Sequence, residues 1–227
     1  DLYITFNYNL HINNIINYDN TRSELKYNIQ LKLENSKKYL LSGNTGVGKT
    51  TFCKILAGHF NNCNINISKN ILYIPQTIYL TLKDRNLVNI ITQNDYNICD
   101  ININLINTII TDIIPFDDII NSFKDKKNWL YIKLEDKTFS GGQEKRIYLV
   151  MWIYFLMKRL SKYKILILDE PDKGLDYETF INLLKNLFKF ELFTNLCFII
   201  VSHNKNIIKH LFTKNIELTN KNNIIIN

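Results

Sequence analysis

Apolar residues are spaced in two ways along this chain. Where they alternate or run unbroken for a few residues they predict strands, and where they recur every three or four residues they predict helices. From Asp1 to about Tyr39, alternating stretches such as IQLKLE (29–34) predict half-exposed antiparallel strands, with DNTRSE (19–24) supplying turn chemistry. KYLLSG (38–43) reads as a buried strand, Thr50 to about Phe60 as a helix, and NILYIPQ (70–76) as a short strand stopped by Pro75. Between about 77 and 138 the texture changes: Ile and Leu recur at helical spacing, glycine is missing and Pro115 breaks the pattern, which predicts a small helical lobe. A long helix then leads to YKILILDEP (163–171), an aliphatic run of the kind buried inside a parallel sheet. A helical stretch at 177–190 separates it from a second such strand, LCFIIVSH (196–203), and NIELTNKNNIII (215–226) reads as a closing hairpin. Alternation of strands and helices predicts an α/β fold.

Composition narrows the class. The 227 residues suffice for one large domain or two small lobes, and 46% hydrophobic with 22% charged residues is ordinary soluble usage. The longest apolar run, IYLVMWIYFLM (147–157), is half of the ~20 residues that span a bilayer, so it predicts a buried helix. No signal peptide is evident. A net charge of +7 raises nucleic acid or an acidic membrane surface as partner, but the lysines are scattered. Asn makes up roughly one residue in seven, so the basicity reads as a companion of A/T-rich codon usage, and no specific nucleic-acid partner is expected. Cys53, Cys63, Cys99 and Cys197 form neither C-x-x-C pairs nor a disulfide framework, which fits a reducing compartment. The start at Asp1, without Met, reads as a domain cut from a longer chain.

With 7 Gly and 3 Pro in the whole chain, the positions of both are informative. GNTGVGKTT (43–51) satisfies G-x-x-x-x-G-K-[ST] between a predicted strand and a predicted helix. Gly43, Gly46 and Gly48 let the backbone N–H groups of Asn44, Thr45 and Val47 curl toward phosphate oxygens. Lys49 then reaches the β- and γ-phosphates, Thr50 offers its hydroxyl to Mg²⁺, and Thr51 follows in the first helical turn. In KILILDEP the aliphatic strand delivers Asp169 and Glu170 to its end, where Pro171 stops the ladder. Asp169 suits a metal shell, while Glu170 is placed to polarise an attacking water. FSGGQEKR (139–146) holds a capping box, Ser140 with Gln143, that leaves Gly141 and Gly142 with bare N–H groups at a helix start. That is a second surface suited to an anion.

GNTGVGKTT, Gln76 after a strand, FSGGQEKR, LILDEP, GLD (174–176) and SH (202–203), in that order, resemble the nucleotide-binding domain of ATP-binding cassette (ABC) proteins over nearly the whole chain. The resemblance implies an α/β P-loop (RecA-like) core with an antiparallel β subdomain and an inserted helical signature subdomain. It implies a single domain in which 1–76 and 161–227 form the β and core parts and 77–160 the helical lobe. It further implies ATP and Mg²⁺ as ligands, and hydrolysis of ATP with water to ADP and phosphate. In this family two domains stack head to tail, so Ser140, Gly141, Gly142 and Gln143 of one would close on the ATP held by the other's P-loop. Gln76 resembles the glutamine that senses Mg²⁺ and the attacking water, and His203 the switch histidine at the γ-phosphate. Asp176 resembles the acid of the loop crossing the dimer interface. Tyr18, about 25 residues before Gly43, falls where an aromatic ring stacks on adenine, with Tyr8, Phe6 and Tyr27 as alternatives.

Three positions depart from the family pattern. Phe139 replaces the usual leucine, Lys173 stands in a small-residue region, and YIKLEDKT (131–138) lacks the Gly-Glu segment of many multidrug and peptide exporters. The expected role is the motor of a membrane transporter, acting on the cytoplasmic side. Its expected partners are a second nucleotide-binding domain, identical or not, and a transmembrane domain in the same parent chain. The alternative is a soluble member of the superfamily acting on ribosomes or nucleic acid.

Overall fold

The two unbroken aliphatic runs lie side by side in one sheet. β5 (Ile165–Asp169) and β6 (Cys197–Val201) bury every residue, and they pair in parallel with Ile167 opposite Ile199 and Asp169 opposite Val201. Strands covered on both faces have no polar face to maintain, so their sequences lose alternation. β3 (Lys38–Gly43) flanks β6, and β4 (Ile71–Ile74) flanks β5. With β7 (Lys214–Asn220) and β8 (Asn223–Ile226) the order is β4-β5-β6-β3-β7-β8. The first five strands run parallel and β8 returns antiparallel to β7. The fold is therefore α/β on a parallel sheet. β1 (Ile4–Ile16) and β2 (Arg22–Leu33) pair antiparallel in a two-stranded sheet of their own.

This computed structural model describes residues 4–16, 22–59, 70–77, 85–93, 101–134, 138–203, 208–220 and 223–226. Tyr18, Cys63 and Cys99 lie outside the described residues. The chain divides into two compact units: Asp1–Gln76 with Ser161–Pro171 and Asn195–Asn227, and Thr77–Leu160 with Asp172–Thr194.

The first unit holds the sheets and α1 (Lys49–Leu56). Phe52, Ile55 and Leu56 of α1 share a buried cluster with Tyr39 and Leu41 of β3 and with Tyr73 of β4. At about 1.5–3 kcal/mol for each large apolar side chain buried, this face anchors the helix that follows the glycine loop. Cys53 and Cys197 are buried free thiols, and burial pushes Cys197 up to about 12. Because β3, β4, β5 and β6 are parallel, their carboxyl ends gather on one edge, the usual place for ligands in such sheets.

The second unit is helical: α2 (Leu87–Ile91), α3 (Ile103–Thr108) continuing into a π-helical turn (Ile109–Ile113), α4 (Asp117–Asn121), α5 (Gly141–Lys158) and α6 (Tyr177–Lys189). The abundant asparagine finds local employment here. Asn86 and Asn102 each accept a backbone N–H three residues on, at 2.9 and 3.0 Å, capping α2 and α3. The apolar run at 147–157 lies in α5, with Ile147, Val150, Ile153 and Leu156 at most 1% exposed. Among the described residues no helix is long and apolar enough to cross a membrane. Phe116, Trp129, Phe123 and Phe139 make successive ring contacts, in that order, at centroid distances of 5.7, 6.2 and 6.4 Å. Phe139 thus enters an aromatic cluster in which its ring meets that of Phe123.

Candidate functional site

Residues 43–50 connect β3 to α1 through a backbone that glycine alone adopts without strain. Gly43, Gly46 and Gly48 have φ of +146°, +79° and +99°. At Gly43 a Cβ would also stand 2.6 Å from the Leu218 carbonyl oxygen, so the β3 end is closed to any side chain. Asn44, Thr45 and Gly46 are exposed, while Val47 turns into the core and its N–H donates to the Asn44 carbonyl at 3.2 Å. Gly48 caps α1 without a side-chain acceptor, and the first turn, containing Thr50 and Thr51, holds no acid. The helix start therefore keeps its N–H groups and positive dipole end for an incoming anion.

Lys49 is buried, 6% exposed, yet hydrogen-bonded. Its Nζ donates to the carbonyls of Gly43 at 2.9 Å and Asn44 at 3.1 Å. Burial lowers its pKa, and the carboxylates of Glu170 and Asp169 pull it back toward the charged form.

Asp169 ends β5 at 1% exposure. Its Oδ2 accepts from the Tyr73 hydroxyl at 2.8 Å, whereas Oδ1 is buried and has no hydrogen-bond partner. Burial raises its pKa, while the hydroxyls of Tyr73 and Thr50 act in the opposite sense. A buried carboxylate oxygen without a donor is costly in isolation and is the natural ligand of a hard cation. Among the described residues no group of three or more His, Cys, Asp or Glu could hold a metal. One carboxylate and one hydroxyl instead match the way Mg²⁺ is bound, with the remaining positions left to phosphate and water. The residues present fit that cation.

Glu170 follows directly, with φ +47°, a left-handed conformation unusual for a side-chain-bearing residue. Its N–H donates to the Val201 carbonyl at 3.0 Å, tying the turn to β6. One carboxylate oxygen accepts from Gln76 Nε2, and the other lies 2.8 Å from His203 Nε2. Gln76, two residues past β4, and His203, two past β6, thus converge on Glu170, the acid just past β5. The side chain of Glu170 is 16% exposed and that of His203 46%, so the imidazole faces solvent over the carboxylate. Such a trio can orient a water and take its proton.

In the second unit, Ser140 Oγ accepts from the Gln143 N–H at 3.3 Å and Gln143 Oε1 from the Ser140 N–H at 3.1 Å, the reciprocal box that starts α5. Gly141 is exposed, and a Cβ there would meet nothing within 4 Å; one on Gly142 would stand 2.9 Å from the Gly174 carbonyl oxygen. The GLD loop is thereby pressed, backbone to backbone, against the signature turn. Asp176 accepts from the Thr179 N–H at 2.9 Å and caps α6, and its bonds to Thr179 hold its pKa low.

Three participants were missed in the sequence. Tyr73 carries a hydroxyl in an otherwise aliphatic four-residue buried strand, a signal that was legible. Asp118 and Arg146 were less so: Arg146 donates to Asp118 at 2.7 and 2.6 Å and to the Pro115 carbonyl at 2.9 Å, while Gln143 Nε2 donates to Asp118 at 3.1 Å. The signature helix is anchored from α4 through a pair separated by 28 residues.

The sequence model of the family described as ABC transporter matches residues 27–173. The spermidine/putrescine import ATP-binding protein PotA of Borreliella afzelii (strain PKo) is 27% identical over 194 residues, covering 83% of this chain and 53% of the relative. An uncharacterized ABC transporter ATP-binding protein/permease, L733 of Acanthamoeba polyphaga mimivirus, is 26% identical over 216 residues, covering 91% and 39%. The chain spans about half the length of the PotA relatives. The structure of a bacterial Atm1-family ABC exporter with ATP bound superposes with a TM-score of 0.71 at 13% identity, over 95% of this chain and 37% of that one.

Proposed function

The chain belongs to the ABC transporter family as an ATP-binding ATPase domain, and from that premise we propose that it drives substrate movement across a membrane by closing, ATP-bound, on a second such domain. β1 and β2 supply the antiparallel subdomain and residues 77–160 the inserted helical lobe. The P-loop from Gly43 to Thr51 wraps the phosphates, with Lys49 leaving the Gly43 and Asn44 carbonyls for the β- and γ-oxygens. Thr50, Asp169 and Gln76 would hold Mg²⁺, which would supply neutralisation of the charge developing on the phosphates. Glu170 accepts the proton of the attacking water, and His203 and Gln76 hold the carboxylate in line.

Two half-sites on one chain explain the partner. The N–H groups at Gly141 and Gly142, with Ser140 and Gln143, face the γ-phosphate held by the other domain, and Asp176 lies along that interface. Twofold pairing then fills both surfaces with two triphosphates. The membrane partner is a transmembrane domain, and this domain works on its cytoplasmic, reducing side.

The observation that carries this reading is the convergence of Gln76 and His203 on Glu170 beside an Asp169 oxygen that lacks a donor. Size-exclusion chromatography of Glu170→Gln at high protein concentration tests it. A dimer with Mg-ATP and a monomer without nucleotide are expected; a monomer in both would remove the composite site.

A further inference from the structure

Asp169 is the acid this reading gives to the cation, and its two oxygens have unequal surroundings. Oδ2 accepts from Tyr73 at 2.8 Å, and Oδ1 is buried without a donor. A carboxylate at the end of a strand turns about its Cβ–Cγ bond, and either oxygen can serve as ligand unless something distinguishes them. Tyr73 distinguishes them.

Tyr73 is 6% exposed and sits in β4, which pairs with β5 so that Tyr73 lies opposite Ile167. Its ring belongs to the cluster under α1, and the His59 ring stands edge-on to it at 5.4 Å. A phenol wedged in this way cannot follow the carboxylate if it rotates. The hydroxyl is therefore a fixed donor placed by the core, and the carboxylate aligns to it.

We propose that Tyr73 is a positioning residue for the cation: by holding Asp169 Oδ2 it directs Oδ1 toward the metal. This rests on the reading of Asp169 as a metal-binding residue. On this reading the phenol acts through Asp169 and is not itself a ligand of the cation. Loss of an outer hydrogen-bond partner of a ligand costs about 10–100-fold in metal affinity, while nucleotide binding without cation makes no use of the Tyr73 hydroxyl.

The test uses Tyr73→Phe, which keeps the ring and its packing. Mn²⁺ is titrated by electron paramagnetic resonance into the chain saturated with ATP, and ATP affinity is measured separately by calorimetry in EDTA. The expected result is about 10-fold weaker Mn²⁺ binding, with ATP affinity in EDTA and the thermal melting midpoint unchanged. In an Asp169→Asn background, Tyr73→Phe should have no further effect on Mn²⁺. Equal Mn²⁺ affinity in wild type and Tyr73→Phe overturns the proposal and leaves the P-loop reading standing; so does a parallel loss of ATP affinity in EDTA, which marks a packing defect. A wild type that binds no ATP with or without cation refutes the nucleotide site itself, and the role of Tyr73 with it.

Discussion

His203 Nε2 lies 2.8 Å from a carboxylate oxygen of Glu170, whose other oxygen is taken by Gln76. The acid is held by residues that follow two other strands, β4 and β6, so its direction is set before substrate arrives. Replacing it by glutamine removes proton acceptance but keeps the shape. Glu170→Gln should lower kcat by about 10²–10⁴-fold with little change in ATP affinity. Phosphate release and equilibrium binding of a fluorescent ATP analogue separate the two; a kcat within a few-fold of wild type would assign proton acceptance elsewhere.

Lys49 presents a second case. Its ammonium rests on two loop carbonyls, and their acceptor lone pairs can turn to water when it is lost. Lys49→Ala should therefore leave the fold intact while weakening ATP by at least about 10-fold, the lower end for a charge-assisted hydrogen bond. Calorimetry with ATP, alongside circular dichroism for the fold, checks both halves; undiminished affinity would remove the P-loop assignment.

The signature glycines should behave differently from each other. At Gly141 an added methyl meets nothing, so Gly141→Ala gains helix propensity of up to about 1 kcal/mol and raises the melting midpoint. At Gly142 the methyl meets the Gly174 carbonyl at 2.9 Å, so Gly142→Ala should destabilise by about 1–3 kcal/mol despite the same propensity gain. Urea denaturation of both variants is the measurement, and equal stability would deny the backbone contact.

Asp118 gives a pH dependence. Arg146 and Gln143 hold its carboxyl below the ordinary carboxylate value of 3.8. A depressed folded-state pKa stabilises above the unfolded value and loses that contribution as pH falls through the folded one. The pair is half exposed on the Asp118 side, so the effect stays under about 1 kcal/mol. Asp118→Asn should lower the urea midpoint at pH 7 and narrow its gap to wild type toward pH 3. A constant gap would point to shape rather than charge.

Local chemistry was the readable part of this chain. The glycine loop, the aliphatic strand ending in Asp169 and Glu170, and the Ser140–Gln143 box were all legible, because each is written within a few consecutive residues. The parallel sheet was legible too, since β5 and β6 lose alternation when both faces are covered. Long-range partnerships were not. The Tyr73 hydroxyl reaches a residue 96 positions away and Asp118 one 28 positions away, and neither distance has a period or motif to announce it. Asn was read as a compositional bias, yet at 86 and 102 the same bias supplies helix caps.

The meeting of the signature turn with the GLD loop brings together two glycines that are constrained for unrelated reasons. Position 142 is shut by volume, whereas position 174 has space around it but requires φ +86°. A saturation library would therefore tolerate Asn at 174, the side chain most at ease with positive φ, and favour glycine over every larger residue at 142.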